Sequence, residues 1–279
     1  MVMKRHKRIA ASATTYILLI IALVWTIFPV YWMIKSSITV NSEMYVARPS
    51  LIAKHYTFEN FVDLFTKTEF PRALLNSLMI AFLTTVCCLL ISILGSYAMT
   101  RLKYPGRRFF KTSIIFSYLI PTAVLFVPMY VFVSKLGFYD NKWALLIIYP
   151  TTVVPYCCYM LMSYFKAIPY ALEEAALIDG CTRMKSLRYI ITPIALPGIA
   201  VVATFAFTMS WNEYLYAMIM TTSPAQQTAV VAISSFKYAD SAIWGRIMAA
   251  SVLTSLPVTI IYIVAQAQLI SGKSDGSVK

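Results

Sequence analysis

Residues 166–198 read KAIPYALEEAALIDGCTRMKSLRYIITPIALPG and form the most patterned stretch of the chain. Pro169 suits the start of a helix, and residues 170–178 favour helix. Gly180 then ends this helix, because glycine adopts the left-handed turn without steric cost. A second short helix is predicted over 183–190. The stretch therefore predicts two short helices around a glycine elbow.

Six apolar runs surround this segment, and each is long enough to cross a membrane. They lie at about 13–34, 77–99, 112–133, 143–165, 191–220 and 247–270. Several contain proline, which predicts kinked helices. Of the 279 residues 59% are hydrophobic and 13% charged, against roughly 25% charged residues in a soluble domain. The chain is therefore predicted to be an all-α polytopic membrane protein with six transmembrane helices.

The charge distribution predicts the orientation of these helices. The net charge of +13 would suggest nucleic-acid binding in a soluble protein. With a cytoplasmic N-terminus, however, 15 of the 24 basic residues lie on the cytoplasmic side, as the positive-inside rule requires. Residues 1–12 and 271–279 are then cytoplasmic, 13–34 is a retained first span, and 35–75 is an outer loop. No nucleic-acid partner is expected.

The cytoplasmic loop after the fourth run carries a spaced motif. Its members are Glu174-Ala175-Ala176, Gly180 after three residues, Ile190 after nine more, and Pro193. This spacing resembles the EAA motif of ABC-importer permeases. The resemblance implies the type I importer permease fold, with a permease core over 76–270 and a coupling loop at 166–190 that docks in a cleft of a cytoplasmic ATPase. The residues that the resemblance assigns to coupling are Glu173, Glu174, Ala175, Ala176, Asp179, Gly180, Ile190 and Pro193.

Other segments narrow the resemblance. They are Asn76-Ser77, residues 97–102, the segment Trp211-Asn212-Glu213-Tyr214 and the tail 272–279. The set resembles sugar-importer permeases of the type of the smaller maltose-transporter subunit. It implies a larger partner permease, an ATPase dimer that binds ATP and Mg²⁺, an external sugar-binding protein and the bacterial inner membrane. This chain is then a transport subunit without a cofactor of its own. Its tail is expected to reach the ATPase through Gly272, Gly276 and Lys279.

Glu213 is the one acidic residue predicted within an apolar run. Intramembrane charges are costly and indicate a functional site by default. With Trp211, Asn212 and Tyr214 it forms an aromatic and polar group suited to a sugar, because aromatic faces stack on C–H surfaces and polar groups bind hydroxyls. We therefore predict that these four residues line the substrate pathway. An interfacial glutamate among belt aromatics would give the same pattern, so both interpretations stay open.

Several alternatives to a sugar permease remain. The chain has no phosphate-binding loop of the G-x4-G-K-[ST] type, so it is not expected to hydrolyse ATP. Its two histidines and its adjacent cysteine pairs predict neither a metal site nor catalytic residues. A permease for a non-sugar solute is one rival, and an ion-driven secondary transporter is another. An intramembrane enzyme would need more titratable residues than Glu213.

Overall fold

The computed structural model describes residues 2–46, 48–236 and 244–274, and it describes side chains from 14 to 266 within those ranges. The elements in these ranges are helices. In addition, Thr39 and Tyr56 pair in one isolated antiparallel β-bridge. The helices are α1 Val2–Ser37, α2 Asn41–Met44, α3 Glu59–Thr66, α4 Phe70–Arg101, α5 Arg107–Leu119, α6 Thr122–Lys135, α7 Ala144–Ala167, α8 Tyr170–Ile178, α9 Arg183–Ser186, α10 Thr192–Ile194, α11 Leu196–Trp211, α12 Leu215–Met220, α13 Ala229–Ser235 and α14 Trp244–Ser274.

The chain divides into two compact units. The first runs to Thr68 and includes Ser235–Leu253, and the second comprises Glu69–Ser234 and the residues from Thr254 onward. Among the described residues, four helices are long and apolar enough to span a membrane alone, and two bent helix pairs raise the possible number to six. The predicted all-α class is confirmed, and the number of possible spans reaches the predicted six when each bent pair is counted as one span.

The first unit consists of α1 to α3 and the beginning of α14. From Thr14 to Ser37, α1 is apolar, and most of its side chains are exposed, which suits a helix surrounded by lipid or by another subunit. The amide of Asn60 on α3 donates to the carbonyls of Ser37 and Thr39 at 3.0 Å each. These bonds fix the chain where it leaves the first span.

The core of the second unit lies between α4, α7 and α11. Small residues on α4 allow close packing, since a Cβ on Gly95 would lie 3.5 Å from the Cys158 sulfur. On α11, Gly198 lies directly against the Tyr164 ring, where a Cβ would approach within 2.4 Å. Of the two adjacent cysteine pairs, Cys88, Cys157 and Cys158 are buried, and Cys87 is exposed.

Two of the predicted continuous runs, 112–133 and 191–220, are broken in the structure. The third run bends by 99° between α5 and α6, at Pro121. Ile120 is extended there, because a residue before proline is pushed out of the helical region. The fifth run bends by 82° just before Pro197 and ends at Trp211, so that α12 is a separate short helix. The breaks lie at sequence positions where proline removes a backbone donor.

Candidate functional site

The loop between α7 and α11 folds as its sequence predicts. The first short helix, α8, spans Tyr170–Ile178, and Gly180 adopts the left-handed conformation with φ +84°. The amide of Gly180 donates to Leu177 at 3.2 Å, and the amide of Cys181 donates to Ala176 at 2.9 Å. This pair of bonds is the Schellman motif, which satisfies the last carbonyls of a helix.

The helix α8 exposes an apolar stripe. Leu172, Ala175 and Ile178 are all exposed, and Ile178 is 86% exposed. Glu174 is exposed beside them, whereas Ala176 is buried against the rest of the chain. A short helix with exposed apolar residues and an exposed carboxylate is suited to contact with a second protein.

Glu173 differs from the expectation that it faces a partner. Its side chain is buried, and the Tyr97 hydroxyl donates to its Oε1 at 2.5 Å. Its Oε2 lies 3.7 Å from Arg101 Nε, and its Oε1 lies 3.9 Å from Arg183 Nη1. A buried carboxylate requires such partners to offset its desolvation. Glu173 therefore attaches α8 to its own chain.

Arg101, at the end of α4, is the centre of this attachment. Its side chain is 1% exposed, and Nη2 donates to the carbonyls of Phe165 and Ile168 at 2.6 and 2.7 Å. Its guanidinium lies over the Tyr170 ring, 4.2 Å from the centroid, and the Tyr170 hydroxyl donates to Thr100 at 2.7 Å. The group joins the ends of α4 and α7 to α8. We call Tyr97, Arg101, Tyr170 and Glu173 the arginine latch.

The arginine latch was not predicted from the sequence. Its members lie in segments more than 60 residues apart, and Glu173 stands next to the motif glutamate rather than in it. One signal was available, namely that Tyr97 and Arg101 are four residues apart and so share a helix face at the end of an apolar run. A cleft of about 960 Å³ lies beside the latch. Its charged lining comprises Arg101, Lys103, Arg107, Glu173, Glu174 and Arg183.

Ile190 and Pro193 lie in the continuation of the loop toward α11. Between α9 and α10, residues Leu187–Ile191 form a π-helical turn, and the amide of Thr192 donates to Leu187, five residues back. Ile190 is half-buried in this turn, and Pro193 is exposed in α10. Such turns widen a helix locally and are common at functional sites.

The predicted pathway residues after α11 do not form one group. Trp211 is buried, stacks on Phe207 and donates from Nε1 to Thr254 at 3.1 Å. Asn212 is exposed, and Tyr214 is half-buried. Trp211 is thus a packing residue, which corrects the prediction that it meets a solute.

Glu213 lies in the break between α11 and α12. Its carboxylate accepts from the amides of Tyr216 and Ala217 at 3.0 and 3.1 Å, which caps the start of α12. It also lines a cavity of about 190 Å³. We call this the polar cavity, and its polar lining side chains are Ser117, Tyr118, Thr122, Tyr149, Thr151, Thr152, Ser210, Glu213 and Tyr216.

The predicted tail contacts are only partly within the described residues. Gly272 belongs to α14, while Gly276 and Lys279 lie outside the described residues.

Comparisons with known proteins agree with this architecture. Residues 89–273 match the family model described as binding-protein-dependent transport system inner membrane component. The inner membrane ABC transporter permease protein YcjP of Escherichia coli (strain K12) is 34% identical over 99% of this chain and 100% of its own. The trehalose/maltose transport system permease protein MalG of Thermococcus litoralis is 33% identical over 91% of each chain.

One solved structure supports the fold. A chain from the crystal structure of a bacterial ABC transporter that imports the acidic polysaccharide alginate superposes with a TM-score of 0.80. The match covers 92% of this chain and 95% of that chain, at 21% sequence identity.

Proposed function

The chain belongs to the family of binding-protein-dependent transport system inner membrane components, and from this premise we propose that it carries a sugar across the bacterial inner membrane as one permease of an ATP-driven ABC importer. Its partners are a larger permease, an ATPase dimer and an external solute-binding protein. ATP and Mg²⁺ belong to the ATPase, and this chain supplies no catalytic group. Both of its termini lie in the cytoplasm.

The arginine latch is the observation that carries the coupling role. Glu174 and Ala175 on the exposed face of α8, together with Asp179 and Gly180 in the turn that follows it, meet the ATPase. Glu173 and Ala176 face the opposite way and hold α8 to α4 and α7. Because the helix is tied to two spans, a displacement of α8 by the ATPase also displaces those spans. Ile190 and Pro193 connect the same loop to α11.

A sugar is the solute class that the relatives favour. The Thermococcus litoralis relative is named for trehalose and maltose. An importer of a non-sugar solute is the second candidate. An ion-driven secondary transporter is not favoured, because it has no use for a docking helix with a glycine elbow.

The pathway and tail assignments belong to the same proposal. Of the four residues predicted around this position, Glu213 lines the polar cavity, which supports a role for it in the pathway. The tail, with Gly272, Gly276 and Lys279, is proposed to contact the ATPase.

The test is transport by the reconstituted complex. The chain is expressed with its partner permease, ATPase and binding protein, and uptake of radiolabelled trehalose and maltose is measured in proteoliposomes together with ATP hydrolysis. Gly180→Asp, or deletion of 173–180, should abolish uptake and remove the stimulation of ATP hydrolysis by the binding protein. Full transport by either variant would contradict the coupling role.

A further inference from the structure

A second cavity, of about 470 Å³, lies where the chain turns from α4 into α5. Tyr104, Gly106, Arg107 and Lys111 are among the residues that line it, and we call it the basic cavity. Within the described part of the chain, no acidic residue lines it, and neither Arg107 nor Lys111 forms an ion pair. We propose that the basic cavity binds the phosphate of an anionic phospholipid headgroup. The inference goes beyond the transport role and does not depend on which solute is carried.

Arg107 is held in place by the end of α4. Its Nε donates to the carbonyl of Met99 and its Nη2 donates to the carbonyl of Thr100, both at 2.8 Å. A guanidinium has five N–H donors, so others remain for a ligand. Because the side chain is already fixed, little further freedom is lost when its planar fork meets the oxygens of a phosphate.

Two lysines from different helices meet beside Arg107. The ammonium groups of Lys111 on α5 and Lys166 on α7 lie close enough to interact directly, and Arg107 also lies close enough to repel Lys111. No acidic residue that the structure describes forms an ion pair with either lysine. Like charges in contact repel each other. A bound anion would convert this repulsion into attraction, so the three cations favour an anionic ligand.

The start of α5 adds to the positive potential of the basic cavity. Gly106 has φ +83°, and the helix begins directly after it at Arg107 and continues for 13 residues. The first N–H groups of a helix lack partners within it and carry a positive partial charge, which attracts anions. Since Gly106 lines the basic cavity, this end of α5 supports the same ligand as the three side chains.

The surroundings favour a lipid over a soluble phosphate. The turn joins α4, which is long and apolar enough to span a membrane, to the bent pair of α5 and α6, so the basic cavity is expected at the membrane surface. Beside it, Phe109 and Phe110 are 71% and 55% exposed, and a Cβ on Gly106 would lie 3.7 Å from the Phe110 ring. Exposed rings next to basic residues are typical of the headgroup region, and basic clusters at the end of a span recognise anionic lipids.

The experiment counts the lipids that the complete transporter retains. The complex of this chain with its partners is purified in detergent, incubated with phosphatidylglycerol and analysed by native mass spectrometry. The test variant combines Lys111→Gln with Lys166→Gln, and the matched control combines Lys54→Gln with Lys135→Gln. Both variants lose two positive charges, but Lys54 and Lys135 are exposed and do not line the basic cavity.

The test variant should retain about one phosphatidylglycerol fewer per complex than the unaltered chain, and the control should retain the same number. Each basic residue near an anionic headgroup contributes a factor of about five, so the concentration for half-occupancy should rise about 25-fold. Equal counts for the test variant and the control would overturn the site. Equal retention of phosphatidylcholine, which has no net charge, would overturn it as well.

Thermal unfolding of the same complexes tests for a structural role of the lysines and for a soluble anion. Without added lipid, the test variant should unfold at the same temperature as the unaltered complex or at a higher one, because a repulsive contact is gone. A lower temperature would show that the lysines stabilise the fold and would contradict the site. Phosphatidylglycerol should raise the unfolding temperature of the unaltered complex more than that of the test variant. The same rise with inorganic phosphate would mean that the cavity binds a soluble anion, and the lipid assignment would be wrong.

Sugar uptake by the same preparations separates this inference from the proposed function, because lipid counts do not require transport. A complex that imports no sugar but retains the additional lipid would contradict the proposed function and support the lipid site. Sugar uptake with equal lipid counts would support the importer and overturn the site.

Discussion

The arginine latch and the polar cavity lie in the same compact unit, but they use polar groups in opposite ways. In the latch, Arg101 and Glu173 are buried against each other and bind groups from three different helices. In the cavity, Thr151 and Ser210 bond only within their own helices, the buried Tyr149 hydroxyl makes no hydrogen bond by distance and angle, and one bond, from the Tyr216 hydroxyl to the Thr122 carbonyl, joins two helices. Interactions between helices fix a geometry, whereas unused hydrogen-bonding capacity accommodates a guest. The difference is the one expected if the latch transmits force and Glu213 lines the solute pathway, as proposed above.

Loss of Arg101 should have the largest effect. Arg101→Ala leaves the Glu173 carboxylate buried without its main charged partner, which costs about 3–5 kcal/mol. The variant should reduce the thermal stability of the complex and release α8, as measured by thermal unfolding and by proteolysis of the loop. Arg108→Ala, an exposed arginine in the next helix, is the control. If the two variants were equally stable, Arg101 would contribute no more to stability than an exposed arginine does.

Removal of the Tyr149 hydroxyl should act in the opposite direction on stability. Tyr149→Phe eliminates an unpaired buried hydroxyl, so the free energy of unfolding should stay constant or rise by up to about 1 kcal/mol. A clear loss of stability, measured by thermal unfolding, would mean that this hydroxyl is structural and that the two regions do not differ as described.

The smallest effect on stability is expected from a substitution of Asp140, in the loop between α6 and α7. The hydroxyl and then the amide of Ser223 donate to its carboxylate and hold the pKa of Asp140 below its ordinary value of 3.8. This stabilisation is present above pH 3.8 and is lost as the pH falls through the lower folded-state pKa.

In the Asp140→Asn variant, the free energy of unfolding should therefore change slightly less with pH below about pH 4 than in the unaltered chain. The measurement is thermal unfolding of the detergent-solubilised complex between about pH 5 and pH 3. Identical pH profiles for the variant and the unaltered chain would show that this bond contributes nothing. The difference between the stability losses of Arg101→Ala and Asp140→Asn then shows how much more a buried charged contact contributes than a half-buried one.

The sequence predicted those parts of the structure that depend on neighbouring residues. The bounds of α8 and the turn at Gly180 follow from local chemistry. The sharp breaks were anticipated only as kinks, because a proline removes one donor but does not specify the angle of the bend.

Contacts between distant segments could not be read in this way. Arg101 and Glu173 meet only after α4 and α7 have packed, so neither residue identifies the other in the sequence. Conversely, Trp211 and Glu213 are neighbours in sequence but face different surroundings, because the helix ends between them. Tyr149 was one of many tyrosines in the apolar runs, and only the folded cavity distinguishes it.

The central claim is that α8 drives the spans through the arginine latch. The direct measurement is the number of sugar molecules imported per ATP hydrolysed by reconstituted complexes with Arg101→Lys, compared with the unaltered chain and with Arg108→Lys. Lysine keeps the charge near Glu173, but it cannot reproduce the paired bonds to Phe165 and Ile168 or the stacking on Tyr170. The account predicts that Arg101→Lys lowers this ratio about tenfold, as expected for the loss of one or two charge-assisted hydrogen bonds, while ATP hydrolysis continues. An unchanged ratio would contradict it.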